Sequence, residues 1–149
     1  MLINEIKATP YPYNISTDDH GDESEFTGLF RSKDGSKVEV LLYLNESNEG
    51  ELSFSRDGEH ELSSKGDQFK ILFTVVEIIK ELVSMALKDG RMTKLVFLAD
   101  GNEPSRIKLY TNKVVPLISS LLGSKWKSPR VLDFSGVVEF SWISENHLR

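Results

Sequence analysis

The 149-residue chain contains no cysteine. Disulfides, thiolate metal sites and cysteine nucleophiles are thereby excluded, and the absence suits a reducing compartment. Histidine is scarce as well, with three residues in all. His20, His60 and His147 fall in expected loops or near the end of the chain, and none is spaced for zinc or for a Ser-His-Asp relay. No apolar run approaches the roughly 20 residues that span a bilayer. The start, Met1 to Lys7, lacks a basic segment followed by an apolar one, so no signal peptide is expected. Positive charge is in short supply: the net charge of −5 argues against a nucleic-acid binder, which needs a basic face to displace counterions. Lys125, Lys127 and Arg130 around Trp126 form a small basic cluster that reads as a solvated loop. No P-loop or dinucleotide fingerprint is present. A cytoplasmic protein is expected.

What is there has the balance of a globular protein, 39% hydrophobic and 28% charged. The length suits one domain over residues 1–149. The strongest pattern lies between Gly66 and Leu122. Lys70, Thr74, Glu77, Glu81, Ser84 and Lys88 recur at helical spacing and mark a single solvent stripe. The remaining surface of that helix is apolar, so it is expected to be a core helix covered on most sides. Asp67 is its expected N-cap, and Gly90 its expected C-terminal glycine. Leu95-Val96-Phe97-Leu98-Ala99 has no polar face and predicts a strand covered on both sides. Pro104 suits the first turn of a second helix. Ile107, Tyr110, Val114, Leu117, Ile118 and Leu121 give that helix its inward stripe, and Pro116 predicts a kink or a split into two short helices.

Ahead of the long helix the pattern is β. Residues 2–8 suggest a short strand, and Pro10 and Pro12 hold the next stretch extended. The acidic stretch 16–25 reads as a flexible solvated loop, since its spacing does not fit a calcium loop. Phe26, Gly28 and Phe30 then share a face, Asp34-Gly35 signals a hairpin, and Val38, Val40, Leu42 and Leu44 line a second strand. Leu52 and Phe54 mark a third. At the other end Leu132, Phe134, Gly136, Val138, Phe140 and Trp142 predict one long strand with a bend at Gly136. The predicted class is α+β: antiparallel strands, then α-β-α-β, with two main helices packed on one mixed sheet.

That order, with Gly66 before a buried helix and Tyr110 in the next, resembles the GNAT superfamily of N-acetyltransferases. The phrases Gly66-Asp67-Gln68-Phe69-Lys70 and Glu103-Pro104-Ser105-Arg106-Ile107-Lys108-Leu109-Tyr110, the latter following Phe97-Leu98-Ala99, are similar also to a group of bacteriophage proteins. The GNAT resemblance implies that the turn before the long helix holds the pyrophosphate of acetyl-CoA through backbone amides, aided by the helix dipole. It places that role on Ser63, Ser64, Lys65, Gly66 and Gln68. It also implies that Tyr110 protonates the departing thiolate. From the residues themselves, Glu51 or Glu39 on a strand could serve as base for an amine. Tyr110 falls on the apolar stripe, which favours a core aromatic with its hydroxyl at the rim, and Arg106, one turn earlier, could bind an anion or a partner carboxylate.

The family's phosphate loop carries an Arg or Gln and two glycines in a row, whereas Glu61-Leu62-Ser63-Ser64-Lys65-Gly66-Asp67 has one glycine and a carboxylate at the helix start. The primary reading is therefore a small phage-type accessory protein, binding a host or virion protein on a GNAT-like scaffold without cofactor or acetyltransferase chemistry. The alternative is an acyl-CoA-dependent N-acyltransferase. The two predict different structures. An enzyme needs the strands before and after the long helix to splay into a cleft for the pantetheine arm. A scaffold keeps that gap closed and exposes an apolar patch elsewhere.

Overall fold

A computed structural model of the chain describes residues 9–56, 68–100, 104–134 and 136–145. The strand expected at 2–8 and the Asp67 cap lie outside the described residues. Strands β1 (Asn14–His20), β2 (Glu23–Arg31), β3 (Lys37–Leu44) and β4 (Glu49–Arg56) precede helix α1 (Gln68–Asp89) and β5 (Lys94–Asp100). A helical stretch follows, made of α2 (Pro104–Leu109), a π turn (Tyr110–Val114) and α3 (Val115–Leu122), and then β6 (Arg130–Phe134) and β7 (Val137–Ile143). The strands form one seven-stranded mixed sheet in the order β1-β2-β3-β4-β5-β7-β6. Every neighbouring pair is antiparallel except β4 and β5, which the α1 crossover makes parallel. The α+β class expected from the pattern is the one observed.

Alternation puts one row of apolar side chains straight across the sheet. Phe26, Leu42, Leu52, Phe97 and Phe140 are successive register partners on β2, β3, β4, β5 and β7, and all five are buried. A second row runs from Ser24 through Leu44, Gly50 and Leu95 to Trp142. Both rows face the helices. Ile71, Val75, Ile78, Ile79, Leu82 and Val83 of α1 and Ile118 and Leu122 of α3 close over them in one hydrophobic cluster. Trp142 Nε1 donates to Ser119 Oγ at 2.9 Å, tying β7 to α3. Gly28 is the close-approach point of α1, because a Cβ there would collide with the Ile78 side chain. No helix among the described residues is long and apolar enough to cross a membrane.

Four expectations need correction. The acidic stretch 16–25 is not a loop: it is β1, a tight turn at Gly21-Asp22 (Gly21 φ 67°) and the start of β2. As an edge strand, β1 is solvated on both faces, so its polar composition looked like a loop. Arg91 secures the turn, donating to the Asp22 carbonyl (3.0 Å) and the Ser24 hydroxyl (2.8 Å) while it pairs with Asp89. Second, β5 is not covered on both sides. Among the described residues the helices lie on one face, and Leu98 on the other is 39% exposed. Third, the expected single C-terminal strand is a hairpin, with Phe134 opposite Val137 and Gly136 at φ 78° in the reversal. The reversal turns Leu132 to the open face beside Glu139 instead of the helix face beside Phe140.

The fourth concerns the polar stripe of α1. Thr74 is fully buried, because residues 9–13 strap across it. The Tyr11 N–H donates to Thr74 Oγ1 (2.8 Å), whose hydroxyl donates to the Lys70 carbonyl (2.6 Å). Lys70 Nζ stands 4.6 Å over the Tyr11 ring, which stacks on Phe30. The Tyr13 hydroxyl donates to Glu81. The strap therefore buries the stripe at Thr74, while Glu81, Ser84 and Lys88 stay exposed as expected.

Two outcomes follow. Gly28→Ala should cost about 1–3 kcal/mol by overpacking, measured by denaturant unfolding, and Ile78→Ala in the same chain should recover part of that loss. The hydrogen bond to Glu81, some burial and the nearby Glu81 and Glu77 charges push the Tyr13 pKa from 10.0 up to about 12. A raised folded-state value means the stabilisation is complete below the unfolded pKa and is lost as pH rises through the folded one. Tyr13→Phe should therefore be less stable than the parent near neutral pH, and the difference should shrink between about pH 10 and pH 12.

Candidate active site

The one parallel junction is also the shortest ladder between long strands. β4 and β5 are in register at Glu49–Lys94, Gly50–Leu95, Glu51–Val96 and Leu52–Phe97, and there pairing stops. Both strands continue, β4 to Arg56 and β5 to Asp100, each still paired on its far side, with β3 and β7 respectively. Past the last rung they no longer bond to each other. A gap opens at the carboxyl ends of the two strands, where the chain enters and leaves the helical layer. The gap interrupts a row that a closed sheet would complete: Gly28, Val40 and Phe54 on one side, Ala99 and Val138 on the other.

On the helix face, Tyr110 stands at the last rung. Its ring meets Phe97 edge-on at 5.3 Å and Phe54 edge-on at 5.5 Å, and it is 6% exposed. Phe54 leans across the gap to within 6.4 Å of the Phe97 ring. Such edge-to-face pairs complement the ring quadrupoles and hold the phenol in one orientation.

The π turn sets that orientation. Pro116 has no N–H, and its ring would clash with the carbonyl of Asn112 in a regular helix. Instead the Val115 N–H reaches back five residues to the Tyr110 carbonyl, widening the turn. Thr111 Oγ1 also donates to the Ile107 carbonyl at 2.8 Å. The extra residue changes the helix phase. At about 100° per residue, an unbroken α-helix would put Tyr110 roughly a third of a turn away from the buried Val115, Ile118 and Leu122. With the π turn, Tyr110 joins that stripe. The expected kink at Pro116 is this phase shift, inside a helical run that continues from Pro104 to Leu122.

On the open face the rung before the last carries Glu51, exposed, between Tyr43 of β3 and Val96 of β5. Tyr43 lies between Glu25 and Glu51. A hydrogen bond to Glu23, backed by the charges of Glu23, Glu25 and Glu46, holds its hydroxyl above the ordinary phenol value. Glu39 is also on this face, but on the far side of β4 from the gap. Tyr110 and Glu51 thus stand on opposite faces of the sheet at the last two rungs before the gap.

Ser63, Ser64, Lys65 and Gly66 lie outside the described residues, and Gln68 opens α1. Arg106 is in α2, one turn before Tyr110. Trp126 is half-buried against the core, and it bridges to Ser144 beside the exposed Lys125 and Lys127. Asp18, His20 and Glu25, which sequence spacing did not connect, bring ligand atoms within 4.8 Å of one another across the first hairpin. They are solvent-facing hairpin neighbours, and His20 pairs with Asp18 at 3.1 Å. Phe54 was read only as a strand marker. Its place at the gap depends on where the β4–β5 ladder ends, which no local pattern encodes.

No family model matches the chain, and no curated protein matches it. Similar solved structures include mutant forms of the spermidine/spermine N-acetyltransferase SpeG from Vibrio cholerae, at 13% identity and TM-score 0.43, covering 86% of this chain and 70% of that one. Another is an acetyltransferase of the GNAT family from Streptococcus pneumoniae, at 8% identity and TM-score 0.37, covering 82% of this chain and 66% of that one. At these scores the likeness says nothing of chemistry.

Truncation separates the packing of Tyr110 from its hydroxyl. Tyr110→Ala should cost about 3–5 kcal/mol in unfolding free energy, because two ring contacts and a core volume are lost. Tyr110→Phe keeps the rings and should cost about 1 kcal/mol or less.

Proposed function

We propose that the chain is an acyl-CoA-dependent N-acyltransferase. The observation that carries this reading is the gap between β4 and β5 past Leu52 and Phe97, with Tyr110 beside it on the helix face and Glu51 one rung before its start on the open face. A binding scaffold has no use for two strands that stop pairing in the middle of a sheet.

The gap fits the arm of such a substrate on chemical grounds. The edges of β4 from Ser53 and of β5 from Leu98 offer backbone donors and acceptors to an amide-bearing chain, as an open sheet edge does for a peptide. The aromatic rings of Phe54 and Phe97 give its apolar parts a surface. When bound, acetyl-CoA or another acyl-CoA supplies an activated thioester.

The residues then divide the proton traffic by face. Glu51, in solvent, takes the proton of the acceptor amine as the nitrogen–carbon bond forms. Tyr110, on the buried face, gives its proton to the sulfur as the carbon–sulfur bond breaks. Water or the solvated Glu51 side returns the balance after product leaves. Opposite faces suit opposite duties, because a base for a charged amine needs solvation and an acid benefits from a dry, oriented site. Holding cofactor phosphates falls to Ser63, Ser64, Lys65, Gly66 and Gln68 in this reading, through backbone N–H groups ahead of α1. Arg106 is assigned to an anionic group of either substrate.

A second reading, a phage-type accessory protein that binds a host or virion protein, draws on Val131, Leu98 and Leu132, which are 55%, 39% and 36% exposed. Leu98 and Leu132 share the open face on either side of Glu139.

Millimolar acetyl-CoA should raise the thermal midpoint, equivalent to about 2.7 kcal/mol at 100 times its dissociation constant. Tyr110→Phe should keep that rise while turnover on a primary-amine acceptor falls by about 100-fold or more. No rise with acetyl-CoA, free CoA or longer acyl-CoAs would remove the acyltransferase reading and leave the binding protein.

A further inference from the structure

Phe54 differs from the other aromatic residues at the gap. Phe97 and Tyr110 are core residues, whereas Phe54 is only partly buried and packs on the cluster from its margin. It stands two residues past the last rung, so its neighbour across a closed sheet would be Ala99, a buried small side chain. Instead of continuing the row, its ring leans over the gap to meet Tyr110 edge-on at 5.5 Å and to lie 6.4 Å from the Phe97 ring.

We propose that Phe54 is a specificity-determining residue that restricts the acyl group to short chains, with acetyl preferred over medium-length acyls. The proposal rests on the acyltransferase reading, and it adds the substrate class. With sulfur at the Tyr110 hydroxyl, the acyl carbons lie beside the ring that touches Tyr110. A methyl group fits against its face. A longer tail has to enter the volume the ring occupies, so it loses the gain that each buried methylene would otherwise bring. Removing the ring opens a channel bounded by Ala99 and the edge of Phe97, both apolar.

The test is equilibrium binding, by calorimetry or thermal midpoint, of acetyl-CoA and hexanoyl-CoA to the full chain, its Phe54→Ala variant and its Phe54→Leu variant. The parent should bind hexanoyl-CoA no more tightly than acetyl-CoA. Phe54→Ala should swing the ratio of the two affinities by about 10-fold or more toward hexanoyl-CoA, with Phe54→Leu between. Phe54→Leu also supplies the answer if the alanine variant does not fold. A ratio unchanged within about 2-fold in the folded variants would overturn the length gate while leaving the acyltransferase in place. A parent that already prefers hexanoyl-CoA would overturn it too. A parent that binds neither thioester would remove both readings at once, before any variant is compared.

Discussion

The fold turns on four rungs of parallel pairing between β4 and β5. Every other strand pair is antiparallel and closed by a hairpin or reached over the helical run, but this one needs the α1 crossover to bring the chain back in the same direction. Two rows of side chains pass through the junction, one ending in Phe140 and the other in Trp142, and α1 lies across both. Remove the junction and the sheet becomes a four-stranded meander and a three-stranded remnant, each with a half-covered core. The rungs end where they do because the next row brings Phe54 toward Phe97 and Tyr110 instead of opposite Ala99. Twist between neighbouring strands widens the separation further out. The gap is thus the visible edge of the interaction that unites the two halves.

Helix phase is the second constraint, and it is solved locally. The α3 segment must present Val115, Ile118 and Leu122 to the core, while Tyr110 must reach Phe54 and Phe97. An unbroken helix cannot do both, and a loop between two helices would abandon several backbone hydrogen bonds. A π turn inserts one residue and keeps the run helical, and Pro116 disfavours its relaxation by clashing with the regular alternative. The cost of a poorer hydrogen-bond turn is offset by two aromatic contacts and a buried stripe.

These two constraints mark how far the sequence could be read. Strands β2, β3 and β4 alternate strictly, and α1 is periodic, so local pattern was sufficient for them. β1 has polar residues on both faces because both are wet, and composition alone made it a loop. The last two strands alternate through Gly136 as if they were one, because a two-residue reversal leaves no break in the pattern. Thr74 counted as solvent-facing because helical spacing is blind to a strap arriving from 60 residues away in the chain. Tyr110 and Glu51 were named as candidates from the resemblance and from strand chemistry. The place of Phe54 at the gap was not legible, since it follows from a long-range register that stops.

In the acyltransferase reading, the two faces of the gap would let one tyrosine be both structural and reactive. A phenol buried among rings has little freedom, and a proton donor with little freedom loses little entropy when it meets a sulfur. The open face imposes the opposite requirement. In that reading the acceptor amine arrives there charged, and Glu51 lies among Glu25, Glu23 and the acid-bonded Tyr43, a neighbourhood that draws cations. A sheet that the described helices cover on one face would satisfy both demands of that reading, with the dry chemistry on the helix side and the charged chemistry on the other. The gap is where the two sides communicate.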